Sequence, residues 1–269
     1  MFDKKFGFGK FGVQGAAIAT LLARIVELLI ILRFVYGEKT PLAAKFKELF
    51  DFSYGYAIKI YNKIIFVILN ESLWALGISI YTIAYGKIGT VAVAAIQICN
   101  IVQNLFMIVA KSLSTASAVM IGNKIGEGDT NIAREYANKF CKLGIFMGLI
   151  SGIILILIAP YIVKLYNIKL ETQIETIKTL QVIGLFLMVK VFNVIMTVGI
   201  FRSGGETEFA FVLDVGTVWF IGIPMAFIGA LVLKWPIYLV VALISIEEVV
   251  KGIIGYHRIR KGKWVKSLI

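Results

Sequence analysis

The stretch NKIIFVILNESLWALGISIYTIAYG, residues 62–86, has the length and apolar content of a membrane-spanning helix, yet it carries a carboxylate. About 20 apolar residues cross the hydrocarbon core of a bilayer as a helix. Glu71 lies near the middle of this stretch, flanked by Asn70 and Ser72. A charge at that depth is costly, so it indicates a functional site or a buried partner.

Comparable apolar stretches recur along the chain, which has 269 residues, 59% of them apolar. The stretch quoted above belongs to the predicted span 60–85. The other predicted spans cover residues 12–36, 91–121, 143–163, 179–201, 209–233 and 236–256. The sequence therefore predicts an all-α polytopic membrane protein with seven transmembrane helices. Many transporters are built from two halves with equal helix counts, so seven indicates one helix left over from a first half.

This count gives a predicted domain organisation. Residues 1–36 hold the last helix of an N-terminal lobe, 37–59 form a cytoplasmic connecting segment, 60–256 form a six-helix C-terminal lobe, and 257–269 form a basic cytoplasmic tail. Within it, Asp129 or Thr130 is expected to cap the helix that follows, and Pro160 to interrupt its own.

The net charge of +12 is interpreted through the membrane rather than through nucleic acid. More lysines and arginines lie in segments 33–63, 122–142, 202–208 and 251–269 than on the opposite face, which predicts a cytoplasmic C-terminus in the plasma membrane. The same count places the N-terminus outside, whereas Lys4, Lys5 and Lys10 before the first span would favour a cytoplasmic N-terminus. The basic segments are expected to contact anionic lipid headgroups of the bilayer.

The sequence contains no pattern typical of an enzyme active site, a cofactor site or a metal site. Cys99 and Cys141 fit ordinary buried thiols, and the single histidine, His257, fits a surface residue. The chain lacks GxSxG, HExxH, Walker A and zinc-finger spacings. We therefore expect no enzyme activity, no metal site and no cofactor.

Eight of the charged residues inside the predicted spans carry the functional hypotheses. They are Arg24, Glu27, Glu71, Lys111, Lys190, Asp214, Glu247 and Glu248. Arg24 and Glu27 are spaced to pair on one helix, as are Glu247 and Glu248 with Lys251. Asp214, near the end of its span, is expected at the interface.

Two roles remain open for Glu71, reversible binding of a proton or cation and a permanent ion pair. Its carboxylate can bind and release a proton or bind a cation, or it can pair permanently with a buried lysine, for which Lys190 is the candidate.

Polar side chains also form stripes at helical spacing. Asn193 and Thr197 share the face of Lys190, and a second stripe consists of Gln97, Asn100, Asn104 and Lys111. Together with Asn70, these residues are candidates for lining a substrate cavity. Structural hydrogen bonds between helices explain either stripe equally well.

Five segments in this order resemble the multidrug and toxic compound extrusion (MATE) transporter family. They are GVQGAAIAT (residues 12–20), GTVAVAAIQI (89–98), VMIGNKIGEGD (119–129), FRSGGETEFAF (201–211) and FIGIPMAFI (220–228). Their order is similar to the second half of that family, preceded by the sixth helix of the first half. The resemblance implies a partial MATE-type fold and efflux of organic cations, drugs or metabolites by antiport against protons or sodium ions.

The resemblance also bears on single residues. Glu71 falls where sodium-coupled members carry a cation-binding glutamate, which an aspartate on the tenth helix completes. The corresponding region here, MVKVFN (188–193), carries Lys190 instead. This departure favours a Glu71–Lys190 ion pair that opens with protonation or with substrate, and coupling to H+ or Na+.

Two alternatives stay open. One is a flippase for lipid-linked oligosaccharides from the same superfamily, in which Arg24, Lys111 and Lys190 would contact pyrophosphate. The other is a non-transporting truncated lobe. Because a lone lobe would expose polar stripes to lipid, a partner is expected, either a missing N-terminal lobe or a second copy.

Overall fold

The computed structural model describes residues 12–38, 43, 53–262 and 264–265, and every regular element within them is helical. The helices are α1 (Gly12–Gly37), α2 (Tyr54–Ile88), α3 (Thr90–Gly126), α4 (Thr130–Val163), α5 (Leu170–Val194), α6 (Thr207–Thr217), α7 (Ile223–Phe227), α8 (Ile237–Ile244) and α9 (Ile246–Arg260). Three π-helical segments, Ile195–Phe201, Val218–Gly222 and Ile228–Val232, extend α5, join α6 to α7 and extend α7. The all-α prediction is confirmed.

Five helical rods in the described residues are long and apolar enough to cross a membrane. They are Ile64–Ile88, Thr90–Gly126, Thr130–Val163, Leu170–Phe201 and Thr207–Val232. The last predicted span, 236–256, is instead divided at Ser245 into α8 and α9.

The chain divides into two compact units, Met1–Ile60 and Tyr61–Ile269. In the first, Arg24 Nη1 lies 2.7 Å from Glu27 Oε2 on α1, so the predicted local pair is confirmed. The second unit, called the lobe below, contains the remaining helices from residue 61 onward. The predicted connecting segment, 37–59, falls largely outside the described residues.

Small residues bring α4 and α5 close together at the centre of the lobe. A Cβ added at Gly148 would lie 2.7 Å from the Met188 Cα, and one at Gly152 would collide with the Gly184 carbonyl. Such contacts are typical of membrane helices, where small residues let backbones approach. The π-helical segment that extends α5 begins two residues after Asn193, and π-turns are frequent at functional sites.

Helix ends follow the sequence in one case and depart from it in two. Asp129 caps α4, because its Oδ1 accepts a hydrogen bond of 3.1 Å from the Ile132 N–H. Pro160 does not interrupt α4, which continues to Val163. The predicted start of the tail at 257 is also displaced, since α9 runs to Arg260 and Trp264 is buried.

Candidate functional site

A buried ion pair joins α6 to α9 inside the lobe. The Lys251 Nζ lies 2.7 Å from Asp214 Oδ1, and their side chains are only 4% and 16% exposed. Lys251 also lies 3.7 Å from Glu248 Oε2, as the spacing predicted. Asp214, expected at the interface, therefore faces the interior of the lobe, where its charge is balanced by a residue on another helix.

Two asparagines, Asn70 and Asn193, extend this ion pair into a hydrogen-bonded network. We call Asp214, Glu247, Glu248 and Lys251, together with their hydrogen-bond partners, the acid cluster. Asn70 Nδ2 donates to Asp214 Oδ2 at 3.1 Å, and Asn193 Nδ2 donates to Glu248 Oε2 at 2.7 Å. The Oδ1 atoms of Asn70 and Asn193 are buried without a hydrogen-bond partner in the described part of the chain. A buried acceptor without a donor is costly, so these two oxygens are sites where a proton donor or cation would be stabilised.

Glu247 does not turn toward Lys251 as the spacing suggested. It accepts a hydrogen bond of 2.6 Å from the Tyr81 hydroxyl of α2. Gly222, in the π-helical segment after α6, makes room for this contact, because a Cβ there would collide with both the Tyr81 hydroxyl and the Glu247 carboxylate. The hydrogen bond between Tyr81 and Glu247 therefore requires a glycine at position 222.

The acid cluster holds three carboxylates, Asp214, Glu247 and Glu248, but only one lysine, which contacts Asp214 and Glu248. Carboxylates in excess of cations inside a membrane protein mark proton relays and ion paths. No group of three His, Cys, Asp or Glu side chains is placed to hold a metal ion among the residues that the structure describes.

Glu71 lies on the surface of the lobe rather than within the acid cluster. Its Oε1 is 2.7 Å from Arg202 Nη2, with 58% of the glutamate side chain exposed. The predicted Glu71–Lys190 pair is wrong in its partner, because Arg202 occupies that place; Lys190 is partly exposed and forms no ion pair in the described residues.

The two predicted polar stripes have opposite surroundings. Asn193 and Thr197 are buried inside the lobe, at 2% and 5% exposure, and Asn70 is buried at 3%. The stripe on α3 is exposed along its whole length. Its members are Gln97, Asn100, Asn104 and Lys111. We call this set the α3 stripe.

A further buried acid, Glu206, lies outside the acid cluster and outside the predicted spans, at the turn that follows the π-helical extension of α5. Both Glu206 carboxylate oxygens accept from Arg258, with Nε to Oε2 at 3.1 Å. These hydrogen bonds raise the pKa of the Arg258 guanidinium above its ordinary value. Arg258 also lies over the Phe209 ring at 5.0 Å, so this contact fixes the α9 end to the turn.

Sequence reasoning missed three participants, Tyr81, Arg202 and the Asp214–Lys251 contact. Each pairs with a residue 37 or more positions away. The available signal was the number of charges in apolar spans, which indicated buried pairs without giving their partners.

Known proteins with a similar sequence or structure share this architecture. The MatE family profile matches residues 64–228. The chain is 22% identical over 264 residues to "Uncharacterized transporter YisQ" of Bacillus subtilis (strain 168), covering 97% of this chain and 57% of that protein. It is 23% identical over 150 residues to "Multidrug resistance protein MdtK" of Yersinia enterocolitica, covering 56% of this chain and 33% of that protein.

A solved structure shows the same fold. A MOP superfamily transporter from Pyrococcus furiosus superimposes with a TM-score of 0.80 at 20% identity, covering 93% of this chain and 56% of that one. The chain thus spans between a third and about 57% of the length of these proteins. Because the family profile covers more than half of the chain, the protein belongs to the MatE family of multidrug and toxic compound extrusion transporters.

Proposed function

We propose that the chain is the C-terminal lobe of an exporter that carries organic cations, drugs or metabolites across the plasma membrane by antiport against protons or sodium ions. Its C-terminus is cytoplasmic in this proposal. The coupling ion is its only cofactor, and the chain has no enzymatic activity. Relatives named for multidrug resistance support the substrate class.

The exposed α3 stripe is the observation that carries the proposal. Its residues occupy one face of a helix apolar enough to span the membrane, yet they are not covered by the rest of the lobe. Polar side chains facing lipid are unfavourable, whereas they are stable against protein or in a water-filled cavity. The stripe therefore fits one wall of a translocation cavity that a second lobe completes.

The coupling part of the proposal uses two acidic sites at different depths of the lobe. Glu71 on the surface is held by Arg202, so an arriving proton or sodium ion competes with the guanidinium for the carboxylate. Asp214, inside the acid cluster, is linked to α2 through Asn70, the neighbour of Glu71. Occupation of Glu71 is thereby transmitted to the acid cluster through one helix.

Dye export tests the cavity. Asn100→Leu/Asn104→Leu makes the stripe apolar, and we expect export of a cationic dye from cells producing the assembled transporter to fall about tenfold or more. Ser112→Leu is the matched control, because Ser112 is exposed on the same helix but lies outside the stripe. Normal export by the double variant, with normal amounts of protein in the membrane, would refute the cavity assignment.

The partner lobe is tested separately by the mass of the protein in native membranes. An antibody against residues 256–269 detecting a species near 29.8 kDa would require a second copy or a separate N-terminal lobe. A species of about twice that mass would show that both lobes belong to one chain. In either case Asn104→Cys in the assembled transporter should react with a water-soluble thiol label, because the α3 stripe lines a water-filled cavity; complete protection would contradict this placement.

A further inference from the structure

A groove of about 590 Å³ opens on the flank of the lobe between α4, α5 and α9. Its floor is mainly apolar, contributed by Met188, Val189 and Phe192 of α5. Gly252 keeps this floor accessible, because α9 presents no side chain there. The rims are two isoleucines, Ile145 and Ile253, which are 41% and 65% exposed.

The groove runs from inside the predicted membrane region to its boundary. Ile145 lies within the predicted span 143–163, whereas Lys142 immediately precedes it and Tyr256 ends the span 236–256. Arg134 near the start of α4 donates to the Gly262 carbonyl at 3.4 Å. The beginning of α4 and the end of α9 therefore meet at the same end of the lobe, where the groove reaches the predicted headgroup level.

Two cations lie at that end of the groove. Lys142 lines the groove, and the Arg260 guanidinium lies 6.0 Å from the centre of the Tyr256 ring, which also lines it. Neither forms an ion pair in the part of the chain that the structure describes. The nearby Lys139, by contrast, is paired with Glu135 at 2.6 Å. Lys142 and Arg260 are therefore free to bind an external anion.

We propose that this groove binds an anionic phospholipid of the bilayer, with one acyl chain along the apolar floor and the phosphate held by Lys142 and Arg260. An apolar slot that ends in two cations at the headgroup level complements such a lipid in both shape and charge. The same positive end opposes an organic cation. No lining residue belongs to the α3 stripe or to the acid cluster, so the site is independent of the residues that carry the proposed export function.

Lipid retention by the purified 269-residue chain tests this site. The chain is titrated with phosphatidylglycerol or phosphatidylcholine of identical acyl chains, and bound lipid is counted by native mass spectrometry. Each basic residue near a membrane surface contributes about fivefold in anionic lipid binding. Lys142→Gln/Arg260→Gln should therefore lower phosphatidylglycerol retention on the order of 25-fold and phosphatidylcholine retention far less, because the choline cation offsets the charge of the phosphate.

Two further variants distinguish this site from general attraction of a basic protein to anionic lipid. Lys164→Gln/Lys169→Gln removes the same charge from exposed positions at the opposite end of α4 and should change retention by less than about twofold. Ile253→Trp narrows the groove from an exposed rim position and should lower retention of both lipids.

Equal losses from the two charge-removing variants would overturn the proposal, as would equal retention of the two lipids by the unmodified chain. Unchanged retention in Ile253→Trp would show that the lipid does not enter the groove, and would also overturn it. None of these outcomes depends on dye export, so they leave the proposed transport function untouched.

Discussion

Replacing Lys251 by methionine measures how strongly the acid cluster holds the lobe together. The ammonium lies 2.7 Å from Asp214 and 3.7 Å from Glu248, with only 4% of its side chain exposed. Methionine keeps much of the apolar stem but removes the charge, so two carboxylates lose their cation. Removing one partner of a buried ion pair costs about 3–5 kcal/mol. We therefore expect Lys251→Met to lower the free energy of unfolding by that amount.

The assay is denaturant unfolding of the purified chain in mixed micelles, followed by tryptophan fluorescence. Asp214→Asn/Lys251→Met should recover at least half of the lost stability, because it also removes the uncompensated carboxylate. Lys139→Met is the control, since Lys139 and Glu135 form an exposed pair with side chains 67% and 59% exposed. The reasoning is refuted if Lys251→Met unfolds like the control, or if the two substitutions in the double variant simply add.

Three further substitutions test other contacts. Glu71→Gln should abolish coupled dye export in the assembled transporter, and wild-type rates would remove Glu71 from the mechanism. Gly222→Ala should lower the melting temperature, because its Cβ collides with the Glu247 carboxylate, whereas Gly216→Ala enters open space; equal melting of the two variants would contradict this geometry. Asp129→Ala should cost about 1 kcal/mol in denaturant unfolding through loss of the α4 cap, and an unchanged midpoint would show that the cap contributes nothing.

The sequence predicted features that depend on neighbours along the chain. Apolar length placed five of the seven predicted spans, because a helix crossing the bilayer must satisfy its own backbone over about 20 residues. Asp129 or Thr130 was predicted as the α4 cap because a capping side chain bonds an amide of the first turn, and Asp129 does so with an amide three residues away. The Arg24–Glu27 pair was visible for the same reason, since residues three apart lie on one face of a helix.

Contacts between helices were not predictable in this way. Depth along a span suggested Lys190 as the partner of Glu71, but depth does not determine which face of a helix meets which neighbour. The actual partner, Arg202, directly follows the π-helical segment that extends α5. No pattern in the sequence predicted that segment. Asp214 and Lys251 meet because of how α6 packs against α9, which composition and spacing leave undetermined.

The way α2 is attached connects the acid cluster to the proposed transport cycle. Only 17% of the apolar window of α2 is buried, against 61% for α5 and its extension. Much of its attachment is therefore polar, through Tyr81 to Glu247 at 2.6 Å and Asn70 to Asp214 at 3.1 Å. Charge-assisted hydrogen bonds of this kind strengthen or weaken as the carboxylate loses or gains a proton or cation. Binding of an ion to the acid cluster would thus change the attachment of α2 first. The packing of α4 on α5 through glycines would not change, because it involves no charged group. In the proposed transport cycle, α2 would therefore be the helix that moves, and the packed helices α4 and α5 would stay in place.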